Sequence, residues 1–181
     1  MIIKETKLKD CFIIEPTIFK DDRGYFFESF NQKKFNALIK KEVSFIQDNE
    51  SFSSKGVLRG LHYQVGEYAQ AKLVRVIKGE VLDVAVDVRK KSSTYGQYIA
   101  IKLSGSNKKQ LFVPRGFAHG FLVLSDTVTF SYKCDNFYNK KAEGGIIYND
   151  AELNIDWGMN ENQLIVSDKD LVLPILKNAI F

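Results

Sequence analysis

Short runs in which apolar residues alternate with other residues limit the folds that this chain can adopt. In EVLDVAVDVRK, residues 80–90, positions 82, 84, 86 and 88 are Leu, Val, Val and Val, and polar residues such as Asp83 and Asp87 lie between them. A period of two is typical of a β-strand with one apolar and one largely polar face. Seven further strand candidates are VLRGLHYQ (57–64), KLVRVI (72–77), YIAIKL (98–103), KQLFVP (109–114), HGFLVLS (119–125), VTFSYKC (128–134) and IIYND (146–150). Gly, Ser, Asn and Asp clusters separate many of them, so the pattern predicts an all-β fold, an antiparallel sandwich or barrel.

Two stretches depart from the period of two, and one pair of residues is typical of a tight turn. The segment 31–42 places Phe35, Leu38 and Ile39 at helical spacing, with Asn31 as the N-cap. The tail from residue 168 to residue 181 is ambiguous and predicts one helical turn and a docked end. The pair Lys78-Gly79 predicts a hairpin between the strands on either side of it. Without an internal repeat, a linker or a break in composition, residues 1–181 are expected to form one domain with a few short helices.

Composition excludes several classes of protein. The formal charge is +4, but lysine pairs are spread evenly along the chain without a block of like charges, so we expect no nucleic-acid partner. Cys11 and Cys134 match no metal-ligand spacing and form no CxxC motif. The N-terminus lacks the apolar core of a signal peptide, and no apolar run approaches the ~18 residues of a membrane span. We expect a cytoplasmic protein with reduced thiols and no membrane contact.

Arg59 and His62 stand inside the apolar strand-forming run VLRGLHYQ. A histidine there is most simply a core residue satisfied by a backbone carbonyl. However, the two residues have opposite parity, so a regular strand would point them to opposite faces. Gly60 between them is a natural position for a bulge, which re-aims the next side chain. We therefore predict that both side chains point into one cavity because of an irregularity at Gly60.

The second histidine, His119, lies in a PxGxxH pattern formed by Pro114, Gly116 and His119. This pattern is one half of the signature of cupins, which are small jelly-roll barrels. The other half normally supplies an HxH pair and a glutamate as metal ligands, and around His62 the sequence reads GLHYQ instead. A typical metal site needs three or four ligands at defined spacing. The chain therefore resembles a cupin without a metal.

Over essentially its whole length the chain resembles the nucleotide-sugar 4-keto epimerases, the family typified by dTDP-4-dehydrorhamnose 3,5-epimerase. The resemblance lies in motifs that occur in order and at the family's spacing: DDRGYFFESF (21–30), FIQDNESFS (45–53), VLRGLHYQ (57–64), AKLVRVIKGEVLDVAVDVRK (71–90), STYGQY (93–98), QLFVPRGFAHGFLVLSD (110–126), FSYKCDNFY (130–138) and SDKD (167–170). It implies a cupin-type antiparallel jelly-roll barrel and a nucleoside-diphosphate sugar with a C4 ketone as substrate. The ketone acidifies the hydrogens on C3 and C5, so that neither nicotinamide nor metal is required.

Inversion through an enolate needs a base on one face of the sugar and an acid on the other. By the resemblance, His62 matches the general base, and a neutral imidazole suits proton abstraction near neutrality. Asp170 matches the carboxylate that orients the base; Asp168 is the alternative, and Asp170 is preferred because it closes the family's SxKD pattern. Tyr132 matches the acid, although the residues alone would make it one more strand aromatic.

The remaining polar positions of the family also have counterparts here. Lys72 and Arg59 match cations near the C4 oxygen and the sugar, where they would stabilise the enolate. His119 and Asp83 match a second polar pair that supports or orients the substrate. Positions that recognise the nucleotide are Arg23, Phe26, Glu28, Gln47, Asn49 and Tyr138. The family offers the first three across the interface of a homodimer with exchanged N-terminal strands.

Departures from the family's pattern border the site. Arg115 stands where glutamate is commonest, Phe112 replaces tryptophan, and Cys134 and Asp135 replace smaller or neutral residues. The charge reversal at Arg115 leaves a different nucleotide or sugar open.

The main hypothesis is inversion at C3 and C5 of a dTDP-linked 4-keto sugar in deoxysugar or surface-polysaccharide synthesis. Alternatives are a GDP-linked 4-keto heptose as substrate, or inversion at C3 alone. A metal-dependent cupin or a non-catalytic sugar-binding cupin belongs to another class. The presence of the base, the acid and the cation argues against a non-catalytic protein.

Overall fold

The computed structural model describes residues 1–181, and most of its regular structure is β-strand. The strands are β1 (Ile2–Glu5), β2 (Phe12–Glu15), β3 (Phe19–Asp21), β4 (Gly24–Phe26), β5 (Gln47–Ser54), β6 (Val57–Gln64), β7 (Lys72–Lys78), β8 (Glu80–Asp87), β9 (Tyr98–Ser104), β10 (Gln110–Val113), β11 (Phe117–Val123), β12 (Thr127–Cys134), β13 (Glu143–Gly145) and β14 (Ile165–Val166). The α-helices are α1 (Gln32–Ile39) and α2 (Asp168–Leu171), and single 3₁₀ turns cover Gly66–Tyr68, Lys140–Ala142, Glu161–Gln163 and Leu176–Asn178. Neither α-helix is long and apolar enough to cross a membrane.

Two antiparallel sheets face each other across the main core. The first sheet has the strand order β1-β2-β10-β7-β12-β5, and the second has the order β13-β6-β11-β8-β9. β14 adds to β6 in parallel, and β3 and β4 form a separate ribbon. Side chains such as Val74, Phe121 and Phe130 fill the space between the sheets. This is the cupin-type jelly roll, so the predicted fold class is confirmed.

The alternating pattern of β8 is present, but its polar face does not meet solvent. Asp83 and Ala85 point into the space between the two sheets and are fully buried. The opposite face, with Val84 and Val86, packs under the C-terminal segment, which contributes Trp157 and other apolar residues. Because the C-terminal segment covers the outer face of the second sheet, the polar alternation marks the barrel interior.

The predicted hairpin at Lys78-Gly79 is wrong. β7 pairs with β10 and β12 in the first sheet, whereas β8 pairs with β9 and β11 in the second. Gly79 has φ +87°, and a Cβ there would lie 2.1 Å from the carbonyl oxygen of Thr127. The glycine therefore allows the chain to cross between sheets at a crowded corner. Local sequence indicated the turn but could not distinguish a crossing from a hairpin.

The strand predicted at IIYND (146–150) is also wrong. The strand in this region is β13, and the chain turns from residue 148 onward. Ile146 still exchanges two main-chain hydrogen bonds with Leu61, of 2.9 and 3.1 Å, but Ile147 donates to Pro174 in the C-terminal segment. The Asp150 carboxylate then accepts bonds from three main-chain amides, among them that of Leu176 at 2.7 Å. These bonds end the strand and dock the tail.

Helix α1 confirms the prediction from helical spacing. The Asn31 side chain accepts a hydrogen bond from the main-chain N–H of Lys34 at 3.1 Å, as an N-cap should. Phe35 and Ile39 are buried against the outer face of the first sheet, whereas Leu38 is exposed.

Candidate active site

A cavity of about 520 Å³ opens between the two sheets. Both sheets and the β14–α2 segment supply its walls, which consist of Ser51, Val57, Leu58, Arg59, His62, Lys72, His119, Gly120, Phe121, Phe130, Tyr132, Ile165, Val166, Ser167, Lys169 and Asp170. A stacked pair, Phe121 and Phe130, lies among them with ring centroids 4.3 Å apart. The cavity thus combines an apolar wall with several charged groups, as is usual for small-molecule sites.

An irregularity at Gly60 brings Arg59 and His62 to the same cavity, which confirms the prediction. His62 pairs with His119 and Arg59 pairs with Phe121, so two residues of β6 stand opposite one residue of β11. Gly60 has φ +124°, and a Cβ there would lie 2.6 Å from the Cα atom of Gly120. Only glycine fits at this close approach of two strands, and the extra residue turns His62 to the side of Arg59.

His62 is held by a carboxylate from the distant C-terminal segment. Its Nε2 atom lies 2.7 Å from Oδ1 of Asp170, and the main-chain N–H of Gly60 donates to Oδ2 of Asp170 at 3.2 Å. The Ser167 side chain caps α2 and so fixes the turn that carries Asp170. Asp168 in the same turn is exposed, so the structure pairs Asp170 and not Asp168 with the imidazole.

The ionisation of Asp170 fits a partner for the imidazole. Burial of the carboxyl raises the pKa of Asp170. The hydrogen bonds with His62 and Gly60 and the charge of His62 outweigh this effect, so the pKa lies below its ordinary value. The carboxylate is therefore charged near neutrality. Because an ionised carboxylate can only accept, the Nε2 atom of His62 carries the ring proton, and the other ring nitrogen, Nδ1, keeps its lone pair.

Tyr132 reaches the cavity from the opposite sheet. It lies on β12 in the first sheet, and alternation places Phe130, Tyr132 and Cys134 on the inner face. His62 lies on β6 in the second sheet, so an imidazole and a phenol face one cavity from two sides. Burial raises the pKa of Tyr132, with a further rise from Cys134 and a partial offset from Arg59. The phenol is therefore protonated near neutrality, as a proton donor must be.

Two cations line the same cavity. Lys72 begins β7 in the first sheet, with its Nζ atom 5.9 Å from the ring centroid of Tyr132. Removal from water lowers the pKa of Lys72, and the acidic groups around it act only through space. Arg59 approaches from the second sheet and donates from Nε to Ser53 Oγ at 3.1 Å. The pair supplies positive charge from both sheets.

His119 and Asp83 form a second imidazole–carboxylate pair deeper in the barrel. His119 Nε2 lies 3.0 and 3.1 Å from the two oxygens of Asp83, and the residues are 7% and 0% exposed. Desolvation raises the pKa of Asp83, although the charges of His119 and Lys72 act against it. His119 lines the cavity but is less exposed than His62, which fits a supporting role.

A smaller compartment of about 260 Å³ adjoins the cavity and shares His62, Lys72 and Tyr132 with it. Three of the expected nucleotide-recognising residues, Gln47, Asn49 and Tyr138, line this compartment. The side-chain oxygen of Gln47 accepts from the main-chain N–H of Tyr138 at 3.3 Å. The structure thus brings these three residues together beside His62.

Sequence reasoning did not single out Gln64 and Glu143, which line this compartment, or Lys169, which lines the cavity. Gln64 follows His62 on the same face of β6, and its side-chain oxygen accepts from the main-chain N–H of Asn139 at 2.8 Å. Glu143 accepts from the Tyr138 hydroxyl at 3.1 Å and forms an ion pair with Lys169. The period of two would have placed Gln64 with His62, whereas no local pattern identifies Glu143.

The other three expected nucleotide contacts lie apart from the cavity. Arg23 and Phe26 belong to the β3–β4 ribbon, where Arg23 pairs with Asp21 in solvent and Phe26 is 69% exposed. Glu28 follows the ribbon and pairs with Lys34 at 2.8 Å. Within one chain these residues line neither the cavity nor the compartment.

Within one chain, Arg115 lines neither the cavity nor the adjoining compartment. It lies between β10 and β11, and its Nε atom donates to Oδ2 of Asp135 at 2.8 Å. Two of the departures from the family's pattern therefore form one ion pair. Phe112 is packed in the small core around α1, away from the cavity.

No three His, Cys, Asp or Glu side chains converge in a group that could hold a metal ion. Each histidine of the cavity instead faces a single carboxylate.

Comparisons with known proteins give one consistent family. The model of the dTDP-4-dehydrorhamnose 3,5-epimerase family matches residues 5–178. A dTDP-4-dehydrorhamnose 3,5-epimerase from Shigella flexneri is 54% identical over 171 residues, which cover 94% of this chain and 93% of the relative.

Two solved structures agree in fold and in sequence. The dTDP-4-dehydrorhamnose 3,5-epimerase from Elizabethkingia anophelis superposes with a TM-score of 0.96 at 56% identity, over 98% of this chain and 97% of the other. A dTDP-6-deoxy-D-glucose-3,5-epimerase from Legionella pneumophila, in complex with dTDP-4-keto-L-rhamnose, gives 0.94 at 48% identity, over 98% and 93%.

Proposed function

The chain belongs to the dTDP-4-dehydrorhamnose 3,5-epimerase family, and on that premise we propose how its cavity inverts C3 and C5 of a dTDP-linked 4-keto-6-deoxy sugar. The observation that carries the mechanism is the placement of His62 and Tyr132 on opposite sheets, facing one cavity that also holds Lys72. A base and an acid on opposite sides of a sugar ring are what inversion requires, because the proton must leave one face and return to the other.

The reaction begins at a carbon next to the C4 ketone. The free ring nitrogen of His62 takes the proton, and the electron pair of the C–H bond delocalises onto the C4 oxygen as an enolate. Asp170, charged and 2.7 Å from the imidazole, stabilises the imidazolium that forms. Lys72 and Arg59 place positive charge where the enolate oxygen develops, which lowers the barrier electrostatically.

Inversion is completed from the other face. The Tyr132 hydroxyl donates its proton to the same carbon, the ketone re-forms, and the phenolate regains a proton from solvent. His62 returns its proton to solvent, so the cycle is redox-neutral and leaves the enzyme unchanged. Repetition at the second carbon gives the doubly inverted sugar. His119 and Asp83 orient the sugar from the barrel interior.

The adjoining compartment binds the nucleotide portion. Gln47 and Asn49 offer amide groups there, and the half-exposed ring of Tyr138 supplies an aromatic face for the base. Arg23, Phe26 and Glu28 lie outside this compartment within one chain. We assign them to the site of a partner subunit, in a homodimer whose N-terminal strands are exchanged and whose chains each form one domain.

Two features support that dimer. The β3–β4 ribbon pairs with neither main sheet and exposes Phe19 and Phe26, which are 62% and 69% exposed. β5 is a free edge of the first sheet, next to the cavity, and carries the exposed Phe52. An aromatic ribbon and an open edge are surfaces that a second copy would cover.

Mixing two inactive variants tests this assignment. Arg23→Ala and His62→Asn would each be inactive alone, but a mixed dimer holds one site with both residues intact. After random exchange of subunits, about a quarter of all sites would be restored in a two-fold dimer. Restoration to no more than background would place Arg23 in its own chain's site or outside it.

We further assign the enzyme to the cytoplasm. Cys11 and Cys134 are both free and buried, which suits a reducing compartment.

The activity is tested by incubating the protein with dTDP-4-keto-6-deoxy-D-glucose and trapping the keto sugars by borohydride reduction. The expected products carry inverted centres at both C3 and C5. Inversion at C3 alone would support the single-carbon alternative. If the sugar is recovered unchanged and a GDP-linked 4-keto heptose is inverted instead, the assignment of the dTDP substrate is wrong.

A further inference from the structure

Asp135 forms two hydrogen bonds with Ala71, the residue before Lys72. The main-chain N–H of Ala71 donates to Oδ1 of Asp135 at 2.6 Å, and the main-chain N–H of Asp135 donates back to the carbonyl oxygen of Ala71 at 3.2 Å. These two bonds, which together form the clasp, engage both main-chain polar groups of Ala71. They join the end of β12, which carries Tyr132, to the start of β7, which carries Lys72.

Arg115 fixes the direction of that carboxylate. Its Nε atom donates to the second carboxylate oxygen of Asp135 at 2.8 Å, and its Nη2 atom donates to the carbonyl oxygen of Asp135 at 3.4 Å. Asp135 therefore has one oxygen on Arg115 and the other on Ala71. Arg115 is half-exposed, but the Asp135 side chain is only 10% exposed, so the clasp lies under the arginine.

The neighbouring residues extend the same junction. Gln70 donates from Nε2 to the carbonyl oxygen of Asn136 at 2.7 Å, and Asn136 donates from Nδ2 to the carbonyl oxygen of Glu67 at 2.7 Å. The loop that leads into β7 is thus attached to the two residues that follow β12. Asp135 provides the attachment closest to Lys72.

Lys72 depends on this junction because its ammonium group lies over the ring of Tyr132, 5.9 Å from the centroid, and the junction joins the strands that carry the two residues. Its Nζ atom makes no ion pair, and the acidic groups that affect its pKa act only through space. The position of the ammonium group therefore depends on where β7 begins relative to β12. We propose that Asp135, oriented by Arg115, is a positioning residue that sets the place of Lys72 against the enolate oxygen.

This inference rests on the proposed function, because it assigns Lys72 to the stabilisation of the enolate. An isolated half-exposed ion pair contributes little to stability. The proposal requires an acceptor for the Ala71 N–H, and Arg115 only orients that acceptor. Exchanging the two charges therefore distinguishes Asp135 as an acceptor from Asp135 as a simple ion-pair partner of Arg115.

The test compares four variants in steady-state kinetics with dTDP-4-keto-6-deoxy-D-glucose. Asp135→Ala removes the acceptor and should lower kcat about tenfold with KM within about twofold, since the lost interaction acts in the transition state. Asp135→Asn keeps an acceptor oxygen and should retain kcat within about threefold. The charge exchange Arg115→Asp with Asp135→Arg restores the ion pair but not the acceptor, so kcat should stay low. Lys102→Met, which changes an exposed lysine on β9 that lines neither the cavity nor the compartment, is the control and should match the wild type.

Amide hydrogen exchange at Ala71, followed by NMR, gives a readout that needs no activity. It should be at least about tenfold faster in Asp135→Ala and in the charge exchange, and unchanged in Lys102→Met. Recovery of kcat by the charge exchange, or wild-type kcat in Asp135→Ala, would overturn the inference. If the wild type itself turns over no substrate while Ala71 exchange responds as expected, the proposed function fails and the clasp stands as a structural junction only.

Discussion

Substituting Asp170 by asparagine removes the charge that faces the imidazole of His62 and little else. The side chain keeps its size, and its amide oxygen can still accept from His62 or from the Gly60 N–H, which are 2.7 and 3.2 Å from the carboxylate. The negative charge that stabilises the imidazolium is lost. Because the carboxyl has a lowered pKa in the folded protein, that charge is present across the neutral range.

The magnitude follows from the type of interaction. A hydrogen bond to a charged group contributes about 1.5–3 kcal/mol, and each 1.36 kcal/mol corresponds to a factor of ten in rate. If this stabilisation is gained mainly when the imidazole is protonated, kcat should fall roughly 10- to 150-fold. KM should change by less than about twofold, since the imidazolium that the charge stabilises forms only as the substrate proton is transferred.

The assay is loss of the C5 proton at saturating substrate, followed by NMR in D₂O. Asp168→Asn, an exposed carboxylate two residues away, is the matched control and should exchange at the wild-type rate. A kcat for Asp170→Asn within twofold of the wild type would refute the argument that the imidazole–carboxylate pair acts in the transition state.

Three further predictions address the acid, the cation and the stability of the barrel. Tyr132→Phe should leave deuterium exchange near the wild-type rate while inversion falls about 10²-fold or more; equal loss of both, measured in one NMR experiment, would count against the acid. Lys72→Met should lower kcat about 10²-fold with a smaller effect on KM, and kinetics showing a rise in KM alone would assign it to binding. Burial raises the pKa of Asp87, but bonds led by that from Arg89 lower it to about 2. A carboxylate whose pKa is lowered by folding stabilises the folded state at pH values above its unfolded pKa, and this stabilisation is lost as the pH falls towards the folded pKa. Asp87→Asn should therefore lower the free energy of unfolding by about 2 kcal/mol above pH ~4 and by nearly nothing near pH ~2, as measured by chemical unfolding.

Much of the site was predictable because it follows from local strand geometry. Opposite parity of Arg59 and His62, with Gly60 between them, is enough to require a bulge if both serve one cavity, and β6 has that bulge. The alternation of β12 likewise places Phe130 and Tyr132 on one face. Period and glycine position carry this information because they act within a few residues.

Other features depend on contacts between distant segments, which spacing does not encode. The alternation of β8 indicated a polar face, but only the C-terminal cover shows that this face is the barrel interior. Gly79 indicated a turn, but the crowding at Thr127 makes it a crossing between sheets. His62 and Asp170 are 108 residues apart, so the resemblance to a family, rather than any local pattern, brought them together.

The departures at Arg115 and Asp135 show the same limit. Taken singly, a charge reversal near a site suggests a changed substrate. In the structure the two residues form an ion pair of 2.8 Å and line neither the cavity nor the adjoining compartment. A substitution can be interpreted only with its partner in view.

Deuterium incorporation by the wild type and by His62→Asn tests the central claim most directly. Each protein is incubated in D₂O with dTDP-4-keto-6-deoxy-D-glucose, and label at C3 and C5 is read by NMR. The account predicts label at both carbons with the wild type and at neither with His62→Asn, the folded state of which is checked by its thermal unfolding. Substantial label in the His62→Asn reaction would show that another group is the base and would contradict the account.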